Sequence, residues 1–279
     1  MKLNRKELDR IISEALREDI GSGDVTTDLI VPSKTVSEAF MIAKEDGILA
    51  GLPIAKAVFK KLDKKIFWKN LVKEGEHISA GTEIVRLKGS YRSLLTGERT
   101  ALNFLQRISG IATTTSKYVE KLEGLKTVIL DTRKTAPGLR MLDKYGVKIG
   151  GGTNHRIGLY DMVLIKDNHI KAAGGIFEAV IQIKNNLTGK MKIEVEVTNL
   201  AEVEIAMNAG ADILMLDNMS IKQMNEAVKL IDGKVKVEAS GGVNLNTVRA
   251  IAETGVDFIS VGALTHSVKA LDISMNFKN

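Results

Sequence analysis

The chain has 279 residues, of which 44% are hydrophobic and 27% charged, as in ordinary globular proteins, and no apolar run approaches the roughly 18 residues of a membrane span. It contains no cysteine, which excludes a disulfide framework and a thiolate metal site and makes a cytoplasmic location the default. The net charge of +6 is typical of a lysine-rich surface and would suit anionic small molecules, whereas 4% aromatic residues and the lack of a basic stripe argue against a nucleic-acid partner.

The first hundred residues predict a mixed α and β domain. Residues 1–19 (MKLNRKELDRIISEALRED) alternate charged and apolar residues, which predicts an amphipathic helix over about residues 5–18 and not a signal peptide. Residues 24–32 (DVTTDLIVP) predict a turn followed by an extended segment. Strand-like runs follow in EAFMIAKEDGILAG, KIFWKNLV and TEIVRLKG, and residues 94–122 predict a long helix that connects this domain to the rest of the chain.

After Lys126, apolar runs rich in β-branched residues alternate with helical patterns. The runs are TVILDTRK, DMVLIKDNH, KIEVEVTN, ADILMLDN, KVEASGG and DFISVGA, and helices are predicted near residues 176–185, 200–208, 221–231 and 245–253. This alternation predicts a parallel sheet of βα units. At least six consecutive units favour a closed barrel over an open doubly wound sheet, and no GxGxxG sequence follows a first strand.

Cations cluster around glycine between residues 131 and 169. Two apolar runs, VILDTRK and MVLIKDNH, end abruptly in cations, and a triple glycine lies between them. The clustered side chains are Arg133, Lys134, His155, Arg156 and Lys166. Guanidinium, ammonium and backbone N–H groups are what multiply charged carboxylates and phosphates require. The segment therefore predicts an anion-binding site.

Acidic residues recur every 21 residues in the later strands, at Glu196, Asp217 and Glu238. Catalytic residues of a βα barrel lie at the C-terminal ends of its strands, where the cations also fall. Glu196 and Asp217 suit two tasks, hydrogen bonding to ribose hydroxyls and binding a hard cation such as Mg²⁺. One strand-end acid is often only the N-cap of the next helix, but a whole set at corresponding positions favours a shared site. The four histidines are scattered in the sequence, so a zinc site is not expected.

The last two βα loops are rich in glycine. The sequence ASGG contains Ser240, Gly241 and Gly242, and the sequence SVGA contains Gly262. Barrels commonly bind a phosphate in these loops through backbone N–H groups and a helix N-terminus, and glycine lets the backbone approach the anion closely. The alternative for each loop is a plain tight turn.

Lys166 leaves a second enzyme class open. A buried lysine on a barrel strand can form a Schiff base with a carbonyl substrate, and neighbouring cations would activate its amine. The same cations more simply predict a polyanionic ligand. A serine hydrolase is not indicated, because Ser240 does not lie in a GxSxG sequence.

Eight motifs, in order along nearly the whole chain, resemble those of one enzyme family. They are EDIGSGDVTTDLIVP, ERTALNFLQRISGIAT, DTRKTAPGLRMLDKYGV, GGGTNHRIGLYDMVLIKDNHI, IEVEVTN, LMLDN, EASGGV and ISVGALTHS. The chain resembles the nicotinate-nucleotide pyrophosphorylases (carboxylating), also called quinolinate phosphoribosyltransferases. Gly97 and Gly146 stand where the family often has alanine, and neither touches a proposed contact. A paralogue associated with molybdenum-transport operons shares the fold and many of the motifs and is the alternative.

The resemblance implies an α/β fold of two domains. An N-terminal α/β sandwich, residues 1–105, would be completed by the tail, residues 268–279, and would pack on an incomplete, seven-stranded βα barrel, residues 106–267. A homodimer is implied, with each active site where one subunit's N-terminal domain faces the other's barrel. The implied reaction belongs to NAD biosynthesis: quinolinate and phosphoribosyl pyrophosphate give nicotinate mononucleotide, pyrophosphate and CO₂, with Mg²⁺ as cofactor.

The same resemblance implies which residues bind quinolinate. Its carboxylates would be bound by Arg133, His155 and Arg156, and Lys166 would contact a carboxylate or the pyrophosphate. Arg99 of the partner subunit would complete this set of cations.

Other matching residues would bind phosphoribosyl pyrophosphate. Lys134 and Thr135 would contact its pyrophosphate oxygens, together with Lys166. Glu196 and Asp217 would hold the ribose hydroxyls and Mg²⁺, directly or through water. Backbone amides would bind the 5′-phosphate at Ser240, Gly241, Gly242 and Gly262.

Overall fold

The computed structural model describes residues 3–278, so Met1, Lys2 and Asn279, at the outer ends of the predicted N-terminal domain and tail, lie outside the described residues. The first part of the chain forms α1 (Arg5–Ile20), α2 (Val25–Ile30), β1 (Val36–Ala43), β2 (Gly47–Ile48), α3 (Leu52–Leu62), β3 (Phe67–Asn70), β4 (His77–Ile78), β5 (Glu83–Ser90), α4 (Tyr91–Lys121), β6 (Val128–Leu130) and α5 (Arg140–Ile149). The rest forms β7 (Val163–Ile165), α6 (Asp167–Ala173), α7 (Ile176–Asn186), β8 (Ile193–Val197), α8 (Leu200–Ala209), β9 (Ile213–Asp217), α9 (Ile221–Ile231), β10 (Lys236–Ser240), α10 (Val248–Ala252), β11 (Phe258–Ser260), α11 (Ala263–His266) and β12 (Ile273–Phe277). Among these helices none combines the length and the apolar character that a membrane crossing demands.

The chain divides into two compact units, each assembled from separate stretches of sequence. The first unit comprises Met1–Ser116, Thr135–Gly151 and Ser267–Asn279. The second comprises Lys117–Lys134 and Gly152–His266. The predicted cation cluster belongs to the second unit, although the helix that interrupts it in the sequence, α5, belongs to the first.

The first unit is built on a four-stranded antiparallel sheet in the order β12-β1-β5-β3. Strand β12 pairs with one edge of β1, where Met275 lies opposite Met41, and β5 pairs with the other edge. Alternate residues in the second half of β1 are buried, as the two-residue period of a strand requires. Met41 and the α3 residue Phe59 are fully buried in the hydrophobic core of this unit.

The predicted turn and extended segment at residues 24–32 is wrong, because the chain forms helix α2 there. The Asp24 side chain accepts a hydrogen bond from the Thr27 backbone N–H at 3.1 Å and caps the helix. The Arg92 guanidinium donates to the carbonyl oxygens of Asp28 and Val31 at 2.9 and 2.7 Å. A six-residue helix is too short to show a helical period, so its stability depends on a cap and on a sequence-distant arginine.

The second unit contains a six-stranded parallel sheet in the order β6-β11-β10-β9-β8-β7, which confirms the predicted parallel sheet. Strands β7 to β11 follow one another and β6 pairs with β11, so the order lacks the reversal of a doubly wound sheet. On the other side of β6, Leu130 forms an isolated parallel bridge with Thr153. Six paired strands are therefore observed where the resemblance implies seven.

The register of this sheet brings the strand-end side chains together. Ser240 lies beside Asp217, and both Glu196 and Glu238 lie beside Met215. Because parallel strands finish at the same edge of a sheet, the residues that end or follow them meet there. Helix α6, which begins directly after β7, and helix α5 lack counterparts in the predicted elements.

Candidate active site

A cavity of about 630 Å³ opens at the edge where the parallel strands end, within the size range of small-molecule sites. All of its lining residues belong to the second unit. It is lined by these predicted site residues: Arg133, Lys134, His155, Arg156, Lys166, Glu196, Asp217, Ser240, Gly241, Gly242 and Gly262. The structure thus gathers side chains that are separated by up to 129 positions in the sequence.

Two guanidinium groups lie near each other in the lining. Burial and then the neighbouring Arg133 cation lower the pKa of Arg156. Arg156 also donates through Nη1 to the carbonyl oxygen of Met162 at 3.3 Å, which orients its guanidinium. Like charges at close range repel one another, and an anion between them removes that cost. The arrangement suits a ligand with one or more carboxylates or phosphates.

Lys166 follows β7 directly, Glu196 is the penultimate residue of the neighbouring strand β8, and the two form an ion pair with Nζ 3.3 Å from Oε2. The lysine side chain is 49% exposed and the glutamate side chain 15% exposed. Glu196 Oε2 is buried, yet it accepts no hydrogen bond from the described residues. A carboxylate oxygen that faces a cavity without a hydrogen bond is suited to a ligand hydroxyl or a hard cation.

His155 is held at both ring nitrogens. Its Nε2 lies 3.0 Å from Glu194 Oε2 and 3.4 Å from Glu238 Oε2, and both glutamates are buried. Its Nδ1 accepts a hydrogen bond from the Arg156 backbone N–H at 2.7 Å. The buried Asp131 accepts from the His155 backbone N–H at 2.9 Å. Because Nδ1 accepts, the ring proton is on Nε2 and faces the two carboxylates.

The electrostatics of this cluster depend on its burial. Burial disfavours a charged imidazole, but hydrogen bonds to Glu194 and Glu238 outweigh it and raise the pKa of His155 to about 9. Burial also raises the pKa of Glu194 to about 7. The Arg156 backbone N–H opposes protonation of His155, because it donates to Nδ1, the nitrogen that a second ring proton would occupy. His155, Glu194 and Glu238 therefore form a buried cluster that retains protons, next to the arginine and lysine side chains of the cavity.

The same cluster could hold a metal ion. His155, Glu194 and Glu238 each offer one ligand atom, and these atoms lie within 4.8 Å of one another. The scattered histidines gave no sign of such a set in the sequence, since its two glutamates come from different strands. Glu196 and Asp217 also line the cavity, and their carboxylates could hold a hard cation.

The glycine loops let the backbone form part of the lining. Gly241 and Gly242 have φ values of 94° and 62°, in the left-handed region that favours glycine. A Cβ atom on Gly241 would overlap the side-chain oxygen of Asn218. At Gly262 a Cβ atom would approach carbons of Lys134 and His266 to 3.1 Å. A side chain at Gly241 or Gly262 would therefore displace neighbouring side chains of the cavity wall.

Two predicted site residues, Arg99 and Thr135, belong to the first unit. Arg99 is an exposed residue of helix α4. Thr135 Oγ1 accepts a hydrogen bond from Arg140 Nε at 3.0 Å. Neither residue is among the described residues that line the cavity.

The cavity also involves residues that the sequence analysis did not select. Glu194 contacts His155, Asn218 contacts Asp217, and His266 lines the wall near Gly262. A signal for Glu194 existed, because the strand IEVEV places Glu194 and Glu196 two residues apart and hence on one face. Asn218 and His266 had no signal beyond their place directly after a strand or in a late loop.

Known proteins match this chain over both units. Family models described as the N-terminal and C-terminal domains of quinolinate phosphoribosyl transferase match residues 24–109 and 111–276. A probable nicotinate-nucleotide pyrophosphorylase [carboxylating] of Bacillus subtilis is 44% identical, with 98% of this chain and 94% of the relative covered. Quinolinate phosphoribosyltransferase [decarboxylating] 1 of Nicotiana glauca is 44% identical over 96% of this chain and 82% of its own.

A solved structure gives the same result. The nicotinate-nucleotide pyrophosphorylase from Francisella tularensis superposes with a TM-score of 0.95 at 47% identity, and covers 99% of this chain and 98% of its own. Two family models together match most of the chain, and the relative from Bacillus subtilis is 44% identical over nearly its whole length. The chain belongs to the quinolinate phosphoribosyl transferase family.

Proposed function

We propose that this protein transfers the phosphoribosyl group of phosphoribosyl pyrophosphate to quinolinate and releases CO₂, pyrophosphate and nicotinate mononucleotide, a step of NAD biosynthesis. The observation that carries the proposal is a single cavity that combines Arg133 and Arg156 with the acids Glu196 and Asp217 and with the glycine loops. Quinolinate supplies two carboxylates for the cations, and phosphoribosyl pyrophosphate supplies hydroxyls and a 5′-phosphate for the acids and glycines.

The cations select and orient the pyridine. Arg133, Arg156 and His155 would together bind the two carboxylates. The His155 ring, which is hydrogen-bonded to the Arg156 backbone, would keep the position of the bound carboxylates constant. Two guanidinium groups that bind both carboxylates of a planar pyridine fix the direction in which its ring nitrogen points. That nitrogen must point at C1 of the sugar for substitution to occur, so orientation of the ring contributes directly to the rate.

The acids suit the other half of the reaction. Departure of pyrophosphate from C1 leaves positive charge on the sugar, and the Glu196 and Asp217 carboxylates would stabilise it while they bind the ribose hydroxyls. Lys134, Thr135 and Lys166 would contact the pyrophosphate. Mg²⁺ would be held by Glu196, whose Oε2 accepts no hydrogen bond from the described residues, and by Asp217. When bound, the ion would neutralise charge on the pyrophosphate oxygens.

The 5′-phosphate would be bound by the glycine loops. Gly241 and Gly242 adopt left-handed backbone conformations, and a side chain at Gly262 would crowd Lys134 and His266, so glycine suits a close approach of the phosphate to the backbone N–H groups of these loops. Ser240 lies opposite Asp217 in the strand register, at the start of the first loop. Backbone N–H groups bind the oxygens of a phosphate, so they can bind a phosphate that is esterified to a sugar.

Decarboxylation follows from N-ribosylation without a further cofactor. Once the ring nitrogen carries the ribosyl group it is positively charged, and that charge stabilises the electron pair left at C2 when the adjacent carboxylate departs as CO₂. A proton then adds to C2 and completes nicotinate mononucleotide. The protein would need only to hold the ring while the C2–carboxylate bond breaks, a task that suits the cations.

The finer architecture that we propose follows the family. Residues 1–105 with the tail 268–279 would form an α/β sandwich, supported by the pairing of β12 with β1. Residues 106–267 would form an incomplete barrel, and the parallel bridge between Leu130 and Thr153 supports a seventh strand at that edge. Two copies of the chain would form a homodimer in which Arg99 of the partner subunit completes each site.

The Schiff-base alternative has less support. Schiff-base lysines are desolvated amines, whereas the Lys166 side chain is 49% exposed and forms an ion pair with Glu196. Treatment with borohydride and a carbonyl substrate should leave no adduct on Lys166.

The proposed activity is tested by incubating the protein with phosphoribosyl pyrophosphate, Mg²⁺ and either quinolinate or nicotinate. We expect mononucleotide and CO₂ from quinolinate and no product from nicotinate, which lacks the second carboxylate. Reaction with nicotinate alone would refute the substrate assignment. Inactivity with both, in a folded preparation, would favour the paralogue whose substrate differs.

A further inference from the structure

Asn218 has an unusual backbone conformation at the end of strand β9. Its φ is 54°, and among the described residues only Asp232 shares a positive φ without being glycine. Its backbone N–H donates to the Ser240 carbonyl oxygen at 2.9 Å, so this conformation ties the end of β9 to the end of β10. Glycine adopts the left-handed region at lower cost than asparagine, which raises the question of what the side chain contributes.

The side chain of Asn218 lies between two groups of the proposed site. Its Nδ2 donates to Asp217 Oδ2 at 2.9 Å. A carboxylate only accepts hydrogen bonds, so the amide nitrogen is the atom that faces it. On the other side, the amide oxygen lies where a Cβ atom of Gly241 would be. Asn218 therefore touches the acid proposed for the ribose and the loop proposed for the 5′-phosphate at the same time.

We propose that Asn218 is a positioning residue for phosphoribosyl pyrophosphate, which holds the Asp217 carboxylate and the Gly241 loop in the arrangement that the ribose 5-phosphate requires. The inference rests on the proposed function. One oxygen of Asp217 is occupied by the amide, so the other is the one presented to a ribose hydroxyl. Asn218 acts through its neighbours and need not touch the substrate itself.

Substitution by glycine separates this role from a backbone role. Asn218→Gly permits the left-handed conformation at lower cost and removes the amide, whereas Asn218→Asp keeps a residue that tolerates this conformation but places a second carboxylate against Asp217. Asp232→Gly is the matched control, because Asp232 adopts the same conformation at the exposed C-cap of α9 and does not line the cavity.

The experiment measures the dissociation constants of phosphoribosyl pyrophosphate with Mg²⁺ and of quinolinate by calorimetry, together with Tm, for the unmodified protein and the three variants. We expect Asn218→Gly to weaken phosphoribosyl pyrophosphate binding about tenfold, as for one lost hydrogen bond to a charged group, with quinolinate binding and Tm retained. Asn218→Asp should weaken it further, and Asp232→Gly should bind both ligands as the unmodified protein does.

Two results would overturn the inference: unchanged phosphoribosyl pyrophosphate binding by Asn218→Gly, or equal weakening of both ligands, which would show a general distortion. The proposed function fails separately, if the unmodified protein does not bind phosphoribosyl pyrophosphate or does not convert quinolinate.

Discussion

Glu194 Oε2 lies 3.0 Å from His155 Nε2, and the glutamate side chain is fully buried. The contact joins a strand residue to a loop residue 39 positions away and sets the direction of an imidazole that lines the cavity. Both Glu194 oxygens are buried, and the groups that act on this carboxylate include the His155 ring and the Glu238 carboxylate. Buried carboxylates are costly without a partner, and the His155 Nε2–H is the group that faces this one.

Removal of the Glu194 carboxylate should impair quinolinate binding. We expect Glu194→Ala to raise KM for quinolinate about tenfold, because His155 loses its orienting partner, while KM for phosphoribosyl pyrophosphate stays within about twofold. Glu194→Gln should largely retain binding, since its amide oxygen still accepts from Nε2. The exposed α8 residue Glu204, changed to alanine, is the control for loss of a glutamate. Equal effects on both substrates would contradict the assignment of this cluster to quinolinate.

Stability should fall as pH rises through the titration of this cluster. The pKa of His155 is raised from 6.5 to about 9, so the stability from its proton is complete below pH 6.5 and is lost towards pH 9. The pKa of Glu194 is raised from 4.5 to about 7. Between pH 4.5 and 7 the folded protein therefore binds a proton at Glu194 that the unfolded chain has released. We expect a loss of about 1–3 kcal/mol in the free energy of unfolding between pH 6.5 and 9.

A double variant provides the control for this pH dependence. Glu194→Gln with Glu238→Gln removes both carboxylates that raise the pKa of His155, so the decline between pH 6.5 and 9 should become smaller. Thermal unfolding at several pH values measures it. A decline of the same size in the double variant would assign the pH dependence to other groups.

The Arg156 guanidinium should not be replaceable by an ammonium group. We expect Arg156→Lys to raise KM for quinolinate about 10- to 100-fold, because lysine cannot make two parallel hydrogen bonds to a carboxylate. Arg249→Lys is a suitable control, since Arg249 is half exposed and pairs with Glu253 on a surface helix. A small effect at Arg156 together with normal folding would mean that another cation binds the carboxylates.

A site shared between subunits predicts complementation. Arg99→Ala and Glu196→Ala proteins should each be inactive, yet a mixture that exchanges subunits should recover about a quarter of the normal activity, because half of the dimers are hybrids with one intact site. Subunit exchange is verified with differently tagged chains. Exchange without recovered activity would place Arg99 outside the site of the partner.

The sequence predicted the parallel sheet and most strand-end residues because both follow from local patterns. An apolar run with a polar residue at its end identifies a strand and its functional edge, as for Glu196 in IEVEV. Helix α2 escaped prediction because its hydrogen bonds come from a cap and from Arg92, more than 60 residues away. Such contacts have no periodic signature.

The buried part of the site was predicted least well. Glu194 lies in a strand whose alternation is visible, but an alternating pattern does not tell which face is occupied by a histidine from another loop. Asn218 is recognisable only from its backbone conformation. Both residues make contacts with segments far apart in the sequence, Glu194 with His155 and Asn218 with Ser240, and a local pattern does not show such contacts.

The fate of each quinolinate carboxylate tests the proposed reaction most directly. The protein is incubated with phosphoribosyl pyrophosphate, Mg²⁺ and quinolinate labelled in either the C2 or the C3 carboxylate, and CO₂, pyrophosphate and mononucleotide are measured together. We predict that the C2 label leaves entirely as CO₂, one for each pyrophosphate, and that the C3 label stays in the mononucleotide. Pyrophosphate release without labelled CO₂, or retention of the C2 label in the product, would contradict the proposed function.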